Sequence, residues 1–86
     1  MQDIKDNIVS ITAQEKAVGD YNYVLNIQIL KGEIYGYVAA CLHNKVSDVI
    51  GLPGKRWSFS NNSMRNEVSF YFVDKSDLTF WNLKFK

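Results

Sequence analysis

The chain is poor in residues that constrain or react: one cysteine, one proline and one histidine among 86 positions. Cys41 alone cannot close an internal disulfide, so the disulfide-stapled secreted scaffolds common at this size are excluded, and a reducing, cytoplasmic setting is expected. An excess of one charge is missing as well. Ten Lys+Arg against nine Asp+Glu leave +1; no long-range field steers the chain onto phosphates or anionic lipid, and any nucleic-acid contact must come from a local patch. The longest uncharged apolar stretch, around Tyr35 to Leu42, falls far short of the roughly 20 residues that cross a bilayer. The opening Met1-Gln2-Asp3-Ile4-Lys5-Asp6 has neither the basic start and apolar run nor the cleavage site of a secretory leader, so neither a leader nor a membrane partner is expected.

What the chain does have is apolar mass. Hydrophobic residues make up 47% and charged residues 22%, enough buried surface to offset ordering entropy and too much for a disordered tail or linker. Eighty-six residues cannot feed two independent cores, so residues 1–86 are expected to form a single domain. No low-complexity segment or solenoid-length repeat divides them.

Period-two alternation dominates the pattern. Tyr21, Tyr23, Leu25, Ile27 and Ile29 alternate with Asn22, Val24, Asn26 and Gln28, which predicts a half-buried strand. A turn at Lys31-Gly32 would then pair it with Ile34, Gly36, Val38 and Ala40 as a hairpin over 21–42, with Glu33, Tyr35, Tyr37 and Cys41 on the second face. Val46, Val49 and Ile50 have helical spacing between Asn44, an N-cap candidate, and Gly51-Leu52-Pro53-Gly54, a stop; a short helix near 44–51 is predicted. Trp57 and Phe59, then Val68, Phe70 and Phe72, then Thr79, Trp81 and Leu83 alternate again, and predict a three-stranded meander over 55–85. Its turns are Asn61 to Asn66 and Asp74 to Asp77; its register pairs Phe59 with Val68, Trp57 with Phe70, Phe70 with Trp81 and Val68 with Leu83. Residues 3–18 carry two patterns: an Ile4, Ile8, Ile11 helical stripe behind an Asp3 cap, and a β-branched Val9-Ser10-Ile11-Thr12 strand, the latter favoured. The expected fold is a mainly β or α+β antiparallel domain, closed as a small sandwich or partly open barrel. Trp57, Phe59, Val68, Phe70, Trp81 and Leu83 are its expected core.

The chemistry inventory is thin, and no catalytic residue, cofactor or metal site is expected. Cys41 and His43, two apart on a strand, would share a face and make the one suggestive pair; packing and hydrogen bonding are the ordinary roles of such residues. Leu52-Pro53-Gly54-Lys55-Arg56 has glycine beside cations, yet the glycine spacing of a phosphate-binding loop is wrong and Arg56 replaces its hydroxyl, so a turn entering a strand is the better reading.

More large side chains are present than one sheet face and a short helix can hide. Tyr35, Tyr37, Tyr71 and Phe80, set among Asn, Gln and Ser, form a candidate protein interface, the residue mix that interfaces favour. The leading functional expectation is a non-enzymatic protein-binding module: an inhibitor, adaptor or immunity-type accessory protein, of the short kind that phages and mobile elements encode. A second copy of the chain is one candidate partner, through the terminal strand over 79–85. The alternative expectation is nucleic-acid binding through Lys45, Lys55, Arg56 and Arg65, with exposed tyrosines as stacking platforms.

Overall fold

The structure is a computed structural model and describes residues 4–32 and 34–86. The Asp3 cap and the Glu33 position therefore lie outside the described residues. A 3-10 turn over Ile4–Asn7 leads into strand β1 (Ile8–Val18) and strand β2 (Tyr21–Ile29). Helix α1 (Tyr35–Ile50) follows, then β3 (Trp57–Asn62), β4 (Glu67–Phe72) and α2 (Lys75–Phe85). The order is strand, strand, helix, twice over. The four strands form one open antiparallel sheet in the order β1-β2-β4-β3, so the second strand of each hairpin is central. This is the α+β, mainly antiparallel class that the alternation predicts, left open rather than closed into a sandwich or barrel.

Two of the predicted strands are helices. The hairpin over 21–42 does not form, because β2 pairs with β1 across Gly19-Asp20. Gly19 there has φ +58, a conformation that a side chain resists and a tight hairpin needs. The favoured strand reading of residues 9–12 is thus met in β1. Residues 35–43 instead begin α1, whose buried positions Val38, Ala39, Leu42 and Val46 repeat at three and four residues. The short helix near 44–51 is therefore the second half of a sixteen-residue one.

The third meander strand over 79–85 is also absent. In its place Leu78, Trp81 and Phe85 form the buried stripe of α2, and Asp74, in extended conformation, precedes its first turn. Leu83, expected in the core, faces away at 67% exposure. The β3–β4 hairpin exists, but in the register Trp57 to Phe72 and Phe59 to Phe70. Its turn is shorter than expected, Ser63 to Asn66, with Asn66 at φ 54. A two-residue slip keeps every side chain on its own face, so the core survives the error.

Both helices cover one face of the sheet. Leu25, Ile27 and Ile29 from β2, Trp57 from β3 and Val68, Phe70 and Phe72 from β4 meet the helical stripes there, sealed from solvent. Ring contacts tie the layers: Phe70 of β4 to Phe85 of α2 at 5.9 Å and Trp57 of β3 to His43 of α1 at 5.4 Å between centroids. Burying aromatic and aliphatic side chains is worth ~1.5 to 3 kcal/mol each, the main driving term here. No helix among the described residues is long and apolar enough to cross a membrane.

Candidate functional site

The sheet face away from the helices is uncharged over most of its area. Ser10, Thr12 and Gln14 of β1, Asn26 and Gln28 of β2, Ser69 and Tyr71 of β4, and Ser58 and Ser60 of β3 share it by register. Four of these groups pair with one another, and Gln28 bonds the backbone beside them. The Ser69 hydroxyl donates to Asn26 Oδ1 at 2.6 Å, Ser60 Oγ and the Tyr71 hydroxyl lie 3.0 Å apart, and Gln28 Nε2 donates to the Arg65 carbonyl at 2.5 Å. The Tyr21 ring lies 6.3 Å from that of Tyr71 between centroids, and its hydroxyl donates to the Gly54 carbonyl.

The two edges of the sheet differ. Edge strand β1 carries Glu15 and Lys16 and has register shifts between Ile8 and Ser10 and between Glu15 and Val18, which are the charges and irregularities that deter stray pairing. Edge strand β3 reads Trp-Ser-Phe-Ser-Asn-Asn, with no charge, no proline and continuous register against β4. The Val73 N–H donates to the Arg56 carbonyl at 3.2 Å, and that bond fixes the phase of the ladder. Ser58, Ser60 and Asn62 turn their backbone groups toward β4, while Phe59 and Asn61 turn theirs outward. The Trp57 carbonyl, also outward, accepts from the Gly54 N–H at 2.8 Å.

A groove of about 270 Å³ runs beside this edge. Tyr35, Gly36, Ala39, Ala40, His43 and Asn44 of α1 form one wall, and Phe59 and Asn61 of β3 the other. Small residues at 36, 39 and 40 keep it open. Tyr35 closes its end by donating to the Glu67 carbonyl at 2.7 Å. Burial and the nearby Glu67 charge raise the Tyr35 pKa, with a hydrogen bond from the Asn62 backbone opposing them. His43 stacks edge-on to Phe59 at 5.1 Å and tilts against Trp57 at 5.4 Å, so its ring packs among aromatic neighbours.

The sequence-predicted residues are dispersed. Tyr35 and Tyr37 lie on α1, Tyr71 on the open sheet face and Phe80 on α2, so the four share no single surface. Tyr37 is 59% and Phe80 49% exposed, whereas Tyr35 and Tyr71 are half-buried. Tyr37 bonds Cys41 one turn along, and that contact raises the tyrosine pKa. Cys41 and His43, two apart on a helix rather than a strand, point about 200° from each other, so the pair does not assemble. Among the cations, Lys45 lies on α1, Lys55 in the loop before β3 and Arg65 in the β3–β4 turn. Arg56 is engaged with Asp77, at 2.9 Å for both Nε and Nη2. Leu52 to Arg56 is a loop entering β3, as the turn reading expects. No cluster of three or more His, Cys, Asp or Glu suited to a metal ion occurs among the described residues.

No protein-family model, curated protein or solved structure matches the chain. The β3 edge escaped sequence reasoning because it depends on which strand ends up outermost, a long-range outcome. The charge-free Trp57–Asn62 run was its one local signal.

Proposed function

We propose that the chain is a small non-enzymatic, cytoplasmic protein-binding module that receives an extended segment of polypeptide as an added strand along β3. The single observation carrying this reading is the outward backbone of Phe59 and Asn61 on an uncharged edge, beside an open groove. Strand addition draws affinity from main-chain hydrogen bonds and specificity from alternate side chains entering neighbouring pockets. An inhibitor, adaptor or immunity-type accessory role fits a module of this kind. The aromatic and polar residues first singled out enter it unequally: Tyr35 shapes the groove, while Tyr37, Tyr71 and Phe80 lie on other surfaces.

Selection from a displayed library of extended heptapeptides tests the reading. Enriched peptides should slow hydrogen exchange at the Phe59 and Asn61 amides and lose binding to an Asn61→Pro variant, which removes an outward donor and leaves the β4 ladder intact. No enrichment, or binding that protects other amides, would refute it. A labelled oligonucleotide at low salt is the control for the nucleic-acid alternative, since low salt exaggerates phosphate contacts.

A further inference from the structure

Resting on the strand-addition reading, we propose that the occupant of the β3 edge is a second copy of this chain, paired antiparallel about a two-fold axis at Ser60. The backbone chemistry is self-complementary. With the axis at Ser60, the outward N–H and C=O of Phe59 meet those of the second copy's Asn61, and symmetry repeats the exchange, for four hydrogen bonds across one seam. Centring the axis on Phe59 instead would call on Trp57, whose carbonyl is already committed to Gly54. Two neighbouring sheets thereby become one of eight strands, since each copy supplies four.

Charge supports a copy over a foreign segment. A two-fold axis sets identical residues near one another, so an edge bearing charge repels itself. Trp57–Asn62 carries none, and the groove wall formed by Gly36, Ala39, Ala40 and Asn44 carries none either. A strongly acidic or basic partner would find nothing to read there. On the helix side, those small residues leave room for the arriving Phe59 and Asn61 side chains. On the open side, Ser60 meets its own copy as a non-hydrogen-bonded pair, for which Cα atoms lie ~4.5 Å apart.

That spacing falls inside the ~4.4 to 6.8 Å that a disulfide spans, which provides a register-specific test. In a Cys41→Ser background, Ser60→Cys should form a disulfide-linked dimer in a thiol redox buffer. Ser58→Cys, which the register sets opposite Asn62 rather than itself, should cross-link at least tenfold less. Sedimentation of the unmodified protein should show mass rising from 9.9 kDa toward twice that value with concentration. Ser60→Lys, which places two ammonium groups together, should hold the protein monomeric while its circular dichroism spectrum stays that of the parent, and should remove the concentration dependence of the melting temperature. Monomer at every concentration, or equal cross-linking at 58 and 60, overturns the proposal. If selected peptides still protect Phe59 and Asn61 in that case, strand addition stands without the dimer; if they do not, both fall.

Discussion

The Arg56 guanidinium holds both oxygens of the Asp77 carboxylate, Nε to Oδ2 and Nη2 to Oδ1, each at 2.9 Å. The pair joins the loop before β3 to the first turn of α2, and its members differ in burial: the Asp77 side chain is 9% exposed and that of Arg56 54%. The hydrogen bonds and charge of Asp77 raise the Arg56 pKa. The asymmetry makes the two deletions unequal. Arg56→Met strands a buried carboxylate and should lower stability by about 1 to 3 kcal/mol. Asp77→Asn leaves a cation that water can reach and should cost about 1 kcal/mol or less. Urea unfolding of both variants checks the order, and the reverse order would show that the pair is organised from the arginine side.

Two buried indoles offer a second comparison. Trp57 Nε1 donates to the Gly51 carbonyl at 2.9 Å, whereas Trp81 Nε1 has no partner among the described residues. Trp57→Phe should therefore exceed Trp81→Phe in destabilisation by about 1 kcal/mol, the worth of the lost bond, because both leave similar voids. Equal costs in urea unfolding would remove the energetic role of the Gly51 contact.

Gly51 itself ends α1 with φ 88 while its N–H donates to the Ser47 carbonyl at 3.0 Å. A Cβ there would meet no atom within 4 Å, so the penalty of Gly51→Ala is conformational alone. About 1 to 3 kcal/mol is expected, since φ 88 with ψ −175 is backbone that glycine alone adopts readily, read as a lower urea midpoint at constant slope.

Tyr35 predicts an alkaline response. Its pKa is raised in the folded chain, so the folded state keeps the phenol proton after the unfolded chain has lost it. The contribution is present below the unfolded value of about 10 and is lost as pH climbs through the folded value. Stability should fall above about pH 10, and Tyr35→Phe should flatten that fall while costing about 0.5 to 1.5 kcal/mol at neutral pH. A Tyr35→Phe profile parallel to the parent's would assign the alkaline loss elsewhere; Tyr37, whose pKa is also raised, is the next variant to make.

The alternation that identified β2, β3 and β4 is genuine, since one face of β2 and of β4 is sealed against the helices and Trp57 of β3 is buried beside them. It misled at 35–42 because Gly36 and Ala40 are small enough to fit either period, and Val38 belongs both to an alternating set and to the helical Val38, Leu42, Val46 stripe. At 79–85 the same ambiguity held for Trp81, while Leu78 and Phe85, three before and four after, carried the helical signal. The groove was hidden for a further reason. Its two walls come from residues 35–44 and 59–61, which meet only because β3 is outermost in the sheet.

Each hairpin lends its second strand to the middle of the sheet, so Leu25, Ile27 and Ile29 lie along Val68 and Phe70 across a seam that joins the two sequence halves. A chain cut within the Leu52–Lys55 loop yields two fragments whose greasiest strands are each other's missing neighbour. Mixed in trans, they should reassemble into the parent fold, and either fragment kept alone should clump.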